Sequence, residues 1–192
     1  MNFYKITNKE ENHNSLQYKT GLNIDPLPWN PNGDCEPGGI YFSREDILAF
    51  VEHGPWIRKV TVPENIEVYK NPGKPKKWKA REVILGKRRK ININVIKGLL
   101  EEGADIHADD DHALKWASQK GYLETIKLLL EYGANVHAQD DFALIWAGIH
   151  RRSETIQLLL GHGANAIKCF KWASRNGHTE VINLLLKHGA SQ

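Results

Sequence analysis

The stretch Gly-Tyr-Leu-Glu-Thr-Ile-Lys-Leu-Leu-Leu-Glu-Tyr-Gly-Ala-Asn-Val-His-Ala, residues 121–138, decides how this chain folds. Leu123, Ile126, Leu129 and Leu130 recur at helical spacing, which predicts a helix with one apolar face. Gly133 stops it, and residues 134–138 then predict an extended finger. Just upstream, Asp110 or Asp111 is expected to cap a shorter helix through Ala113, Leu114, Trp116 and Ala117, ended by Gly121. A helix pair of this kind is apolar on two sides. It cannot bury both faces alone, so further pairs must stack against it.

The rest of the second half supplies those pairs. Glycines in a Gly-Ala context fall at Gly103, Gly133, Gly163 and Gly189, at intervals of 30, 30 and 26 residues. Trp116, Trp146 and Trp172 keep the same clock, as do the leucine triplets at 128–130, 158–160 and 184–186. Three markers moving together at this period indicate stacked supersecondary units.

These units resemble ankyrin repeats. Residues 121–138 match the family's second-helix signature almost throughout, and Gly-His-Thr-Glu-Val-Ile-Asn-Leu-Leu-Leu-Lys-His-Gly-Ala (177–190) matches it more closely still. The resemblance covers about half the chain and implies a fold and a role in binding other macromolecules. The chain also departs from the pattern. Where the family opens with Thr-Pro-Leu-His, this chain has His112-Ala113-Leu114-Lys115, Phe142-Ala143-Leu144-Ile145 and the shorter Cys169-Phe170-Lys171. The family's histidine, and the hydrogen bonds it makes between repeats, are thus replaced by Lys115, Ile145 and Lys171. The finger should be clipped, and blunted further before the last helix pair, where four more residues are missing. Arg151-Arg152 stands in place of the usual Gly-His, which predicts a locally altered turn.

The first unit supplies only a second helix, from Ile91 to Gly103, so the preceding part is expected to cap the stack. In the last unit Val181, Ile182 and Leu184 to Leu186 lack the polar substitutions of a capping repeat. That leaves two expectations: self-association through this face, or further units beyond it.

All eight prolines lie at or before Pro75, which separates a loop-rich first part from a helical second part. The expected architecture is an α+β domain over residues 1–90 followed by an all-α ankyrin-repeat solenoid of about three and a half units over residues 91–192. Strands are predicted at Phe3 to Ile6, Gly39 to Phe42, Trp56 to Val62, Ile66 to Tyr69 and Lys79 to Leu85. Ser43-Arg44-Glu45-Asp46 resembles a capping box opening a helix to about His53. Residues 25–39, with four prolines and three glycines, predict an irregular loop. The opening Tyr4-Lys5-Ile6-Thr7, then residues 18–23, then Cys35-Glu36-Pro37-Gly38-Gly39-Ile40-Tyr41-Phe42 resemble the N-terminal domain of giant-virus ankyrin-repeat proteins. They are also similar to an uncharacterised domain of phage proteins. That resemblance implies a viral origin and a host target, and no activity.

Charge narrows the functional classes. The net charge of +3 conceals a local stripe: residues 74–90 carry nine basic groups against Glu82 alone. Lys76, Lys77, Lys79, Lys87, Arg88, Arg89 and Lys90 would attract phosphates, and Trp78 could stack on a base, so nucleic-acid binding is the alternative function. Lys87 to Lys90 also has the form of a nuclear-import signal. Two cysteines in different halves, no signal peptide and no membrane-spanning run point to an intracellular setting, host cytoplasm or nucleus.

Mapped by the resemblance, the binding surface comprises Asp109, Asp110, Lys115, Gln119, Lys120, Gln139, Asp140, Ile149, His150, Arg175 and Asn176, a mixed set suited to a polar protein partner. The tryptophan series reads first as packing between repeats and second as an aromatic binding ladder. His107 and His137 are repeat-locked turn residues, and no His/Cys pair has zinc spacing, so neither metal nor cofactor is expected. Catalysis is not expected either. His13 and Tyr18, followed by glycine-rich loops and strands, loosely resemble ADP-ribosyl-transfer folds, but that family's ordered His, Tyr or Ser and Glu motifs are not assignable here. Cys35 is a lone cysteine without a nearby histidine.

Overall fold

The computed structural model describes residues 2–31 and 36–189. Cys35, the third candidate for chemistry in the first half, lies outside the described residues. In chain order the strands are β1 (Phe3–Thr7), β2 (Asn12–His13), β3 (Leu16–Gln17), β4 (Gly21–Ile24), β5 (Ile40–Phe42), β6 (Trp56–Thr61), β7 (Val68–Lys70), β8 (Trp78–Ala80), β9 (Glu82–Leu85) and β10 (Arg89–Lys90), with a 3₁₀ helix at Glu45–His53. Seven helices follow: α1 (Ile93–Glu101), α2 (Ala108–Lys120), α3 (Leu123–Glu131), α4 (Ala138–Ile149), α5 (Ser153–Gly161), α6 (Ala166–Arg175) and α7 (Thr179–Lys187). By compactness the chain forms two units, Met1–Asp109 and Asp110–Gln192, so α1 goes with the strands and the division falls in the first turn of α2.

In the first unit, strands run β1-β6-β9-β4 in one antiparallel sheet, with β10 also on β6, and β5-β8-β7 in another. The segment expected as one strand from Lys79 to Leu85 is two. Exposed Arg81 separates β8 from β9, and they belong to different sheets. The corner between them brings both sheets onto one core of Tyr18, Ile40, Phe42, Val60, Ala80, Val83 and Leu85. Strands β2, β3, β4 and β10 were not foreseen, being short and without clear alternation.

The capping box does not form. The Ser43 hydroxyl donates to Lys76 O at 2.8 Å, and the Asp46 carboxylate accepts from Lys76 N at 2.7 Å. Both side chains tie down the loop before β8, so no side chain caps the helix, which stays 3₁₀. A buried ion cluster pins the N-terminal loop. Glu11 Oε1 accepts from Arg58 Nε at 2.7 Å, and its Oε2 accepts from Arg58 Nη2 and Arg88 Nη1, both at 3.0 Å. At the other side of this unit the Tyr4 hydroxyl donates to Glu102 at 2.9 Å, which fixes the end of α1.

In the second unit α4 and α6 lie side by side, each followed by its own return helix, α5 and α7. Leu129, Ile126, Ile156, Leu159, Ala147, Ala173 and Leu185 are fully enclosed. Each second helix ends in the same way. Gly103, Gly133 and Gly163 take φ of 92°, 91° and 92°, and the next amide donates five residues back, Ala134 N to Leu129 O at 2.9 Å and Ala164 N to Leu159 O at 3.1 Å.

Candidate interaction surface

The geometry of the fingers is set by short backbone segments. Asp105, Asn135 and Asn165 each accept, through their side-chain oxygen, the amide two residues on: His107 N, His137 N and Ile167 N, all at 2.9 Å. Three left-handed residues follow in succession, Asp109, Asp110 and Asp111 at φ 53°, 53° and 58°, and then Gln139, Asp140 and Asp141 at 50°, 61° and 63°. Five of these six are aspartates, a residue type that tolerates this conformation better than most. The right-handed helix begins only after them.

Asp111 reaches beyond its own repeat. Asp111 is buried, and its Oδ1 accepts from Asn135 N at 2.8 Å, 24 residues on; Asp141 Oδ1 accepts from Asn165 N at 2.8 Å, again 24 residues on. A charged acceptor on one finger holds the backbone of the next. This ladder ties repeat to repeat four residues before Lys115 and Ile145, which stand where the family has its histidine. Asp141 also meets His137 Nδ1 at 2.9 Å. After Gly163-Ala164 the left-handed turn is missing: Asn165 caps Ile167 N and α6 starts at Ala166. The finger is blunt there, as the four-residue deletion predicts.

The candidate residues fall into two groups at opposite ends of the first helices. At the finger end Asp109, Asp110, Gln139 and Asp140 are all exposed. Gln139 Nε2 reaches Asp110 Oδ2 at 3.3 Å, and Lys168 Nζ pairs with Asp140 Oδ2 at 2.7 Å. At the other end lie Gln119, Lys120, Ile149, His150, Arg175 and Asn176. Gln119 Nε2 and His150 Nε2 are 3.4 Å apart, Arg152 Nε donates to Gln119 O at 3.1 Å, and Asn176 Nδ2 donates to Trp172 O at 2.8 Å. Lys115 lies between the groups, its ammonium 5.8 Å from the Phe142 ring centre. Neighbouring repeats thus present equivalent polar groups in register. Phe142, Asp111, Asp141 and Arg152 were not among the expected residues, because their roles depend on what the adjacent repeat places opposite them.

The tryptophans occupy equivalent, half-buried places. Trp116 meets Tyr122 edge-on at 5.3 Å, and Trp172 stacks on His178 at 4.7 Å, in both cases six residues on. In the middle repeat that position is Arg152, and Trp146 stacks instead on His150 at 5.3 Å. Each of these ring contacts is made within its own repeat.

The turn at Arg151 keeps the form of its counterparts. Arg151 adopts φ 53°, where Gly121 and Gly177 take 73° and 69°. The following amide, Arg152 N, bonds to Ala147 O at 2.9 Å, as Tyr122 N bonds to Ala117 O and His178 N to Ala173 O. The expected distortion is absent because the arginine backbone accepts the left-handed conformation.

The basic stripe is not one surface. Lys79 is fully buried in β8, donating to Glu36 O at 3.1 Å with its ammonium 5.0 Å from the Tyr41 ring centre. Trp78 is half-buried and packs edge-on against Phe3 at 5.1 Å. Arg88 is bonded to Glu11 and lies 4.5 Å from the Trp56 ring centre. Lys76 is exposed before β8 in the three-stranded sheet, and Lys77 is half-buried beside it. Lys87, Arg88, Arg89 and Lys90 are exposed and end on the other sheet.

His13 and Tyr18, far apart from the repeat surface in sequence, line a single cavity of about 260 Å³ in the first unit. Burial holds His13 below the usual imidazole range and pushes the Tyr18 phenol up. In the second unit Cys169 is buried, its thiol pushed up to about 12 by desolvation, which makes it a packing residue. Among the described residues no three His, Cys, Asp or Glu side chains converge as metal ligands, and no helix is long and apolar enough to cross a membrane.

Paired helices, αL glycines closing each second helix and fingers bonded in register define an ankyrin-repeat protein. The family model of three ankyrin repeats matches residues 87–168, and the model of the single repeat matches residues 169–192. The chain belongs to the ankyrin-repeat family. Its relatives include an ankyrin repeat protein of Acanthamoeba polyphaga mimivirus, 38% identical over 135 residues, covering 62% of this chain and 44% of the relative. An uncharacterised protein of the same virus is 37% identical over 129 residues, covering 64% of this chain and 92% of the relative. A third, another mimivirus ankyrin repeat protein, is 31% identical, covering 64% of this chain and 63% of the relative. The chain therefore spans less than half of the first relative's length and nearly all of the second's. Ankyrin repeats are protein–protein interaction modules, and this chain carries one of giant-virus type.

Proposed function

We propose that the chain is a non-catalytic adaptor that captures a host protein, in the host cytoplasm or nucleus, on the surface formed by its fingers and first helices. The observation that carries this reading is the pair of left-handed finger turns held in register by Asp111 and Asp141, which leaves Asp110 and Asp140 exposed one repeat apart, with exposed Asp109 beside the first. Such a row of carboxylates suits a basic, extended segment of the partner. The polar end, with Gln119, His150, Arg175 and Asn176, adds a second contact zone. Replacing Asp109, Asp110 and Asp140 together by Asn keeps residues that tolerate the left-handed turn while removing three charges. The triple variant should fold as the native chain does and lose the protein it captures from Acanthamoeba lysate. Capture at native levels would refute this surface.

The nucleic-acid alternative makes a different prediction. It requires a DNA or RNA shift that collapses between low and moderate salt and disappears when Lys87, Arg88 and Arg89 are neutralised. The burial of Lys79 weighs against it.

A further inference from the structure

The cavity in the first unit contains a feature that the repeats do not explain. Lys5, on β1, is 9% exposed, and burial lowers its ammonium to about 8. Its Nζ donates to Tyr41 O at 2.9 Å and sits 4.7 Å from the centre of the Tyr18 ring. An ammonium has three donors, and here only one meets an acceptor. Among the described residues no carboxylate lies within ion-pairing distance. The acid whose charge acts on it, Asp25, is held by backbone amides, its Oδ1 accepting from Leu27 N at 2.9 Å and its Oδ2 from Gly39 N at 2.8 Å. A buried charge without a counter-ion is costly, and an apolar residue would serve packing better.

The surroundings specify what would compensate it. Lys5, His13, His53 and Lys77 line the cavity, and among the described residues no aspartate or glutamate does. Five of the eleven other lining residues are aromatic, Tyr18, Phe42 and Phe50 among them, and they form one aromatic part of the wall. The volume of about 260 Å³ suits a body of roughly one or two rings. We propose that this cavity is a binding site for a small aromatic anion, a carboxylate or a phosphate monoester, whose charged group is drawn to Lys5 and whose ring lies against the aromatic wall. The site is built entirely within Met1–Asp109 and does not depend on the repeat surface.

Calorimetric titration of the full chain tests this with four probes: benzoate, phenyl phosphate, and the neutral benzamide and phenol. At least one anion should bind, at least tenfold more tightly than its neutral counterpart. Which anion binds more tightly tells carboxylate from phosphate, and inorganic phosphate alone shows whether the ring is needed. Lys5→Met should weaken the anion at least tenfold. Phe50→Trp, which leaves every charged group in place and fills the cavity, should do the same. This second variant decides the matter if Lys5→Met does not fold. The proposal is overturned if neither anion binds at millimolar concentration, if the neutral probes bind equally well, or if the folded variants bind as the native chain does.

Discussion

Arg151 shows how a single residue can keep a turn that its type disfavours. Its φ of 53° is that of Gly121 and Gly177 in the neighbouring repeats, and for a residue with a Cβ this conformation costs roughly 1–2 kcal/mol. Arg151→Gly should therefore stabilise the second unit by about 0.5–1 kcal/mol, the strain relieved being partly offset by glycine's greater freedom when unfolded. Urea denaturation measures this, and Arg151→Ala, which keeps the strain, should show no such gain. Asp141 carries the opposite kind of burden. It is buried and accepts the Asn165 amide, so Asp141→Ala leaves that donor short of a partner and should cost about 1–3 kcal/mol. Asp111→Ala should match it, because the bond it makes has the same length and spacing. Unequal losses would mean that the two fingers are not equivalent. Neither role was legible beforehand. The aspartates read as helix caps because that is their commonest local use, and nothing local shows an amide 24 residues away.

At the scale of the element, the second helices were the most legible part of the chain. Ile126, Leu129 and the αL glycines fall where helical periodicity puts them, and each buries its apolar face as expected. Leu129 is fully enclosed, so Leu129→Ala should destabilise the stack by ~2–5 kcal/mol and raise amide exchange in both adjoining helices. A loss confined to α3 would contradict cooperative stacking. Cover declines toward the last unit: Ile126 and Ile156 are enclosed while Ile182 is half-buried, and Leu186 is 46% exposed. The strands were harder to read. Segment 79–85 has the composition of one continuous strand, yet it turns a corner between two sheets at Arg81. Ser43 and Asp46 have the spacing of a capping box, yet both bond to Lys76. In each case a partner distant in sequence outcompeted the local preference.

At the scale of the whole molecule, the two units rest on different physics. The second is a sum of neighbouring interfaces. The first closes two small sheets on one core and secures its N-terminal loop through Glu11, Arg58 and Arg88. The hydrogen bonds from Arg58 hold Glu11 below its ordinary value of 4.5. A carboxyl depressed in the folded state contributes stability above its unfolded pKa, and that contribution is lost as the pH falls from about 4.5 through the folded value. Acid titration followed by amide exchange should show the N-terminal loop loosening in this range. Glu11→Gln should remove the acid dependence and destabilise the first unit by about 3–5 kcal/mol at neutral pH, since it leaves Arg58 buried without its counter-charge. Lys5 differs in that its charged form is disfavoured on folding; its contribution to stability also rises with pH, between about 8 and 10.5.

The amino-acid sequence alone determined that this protein stacks helical hairpins, where each hairpin begins and ends, and that its last finger is blunt. Those features follow from periodicity, from αL glycines and from chain length, which act between residues close together along the chain. Only the tertiary structure decided that Asp111 and Asp141 bind the next repeat, that Lys79 is buried out of the basic stripe, and that Lys5 lines a cavity with His13 and Tyr18. A polar group's role depends on whatever folding brings within hydrogen-bonding reach of it, and that set of neighbours comes from residues tens of positions away.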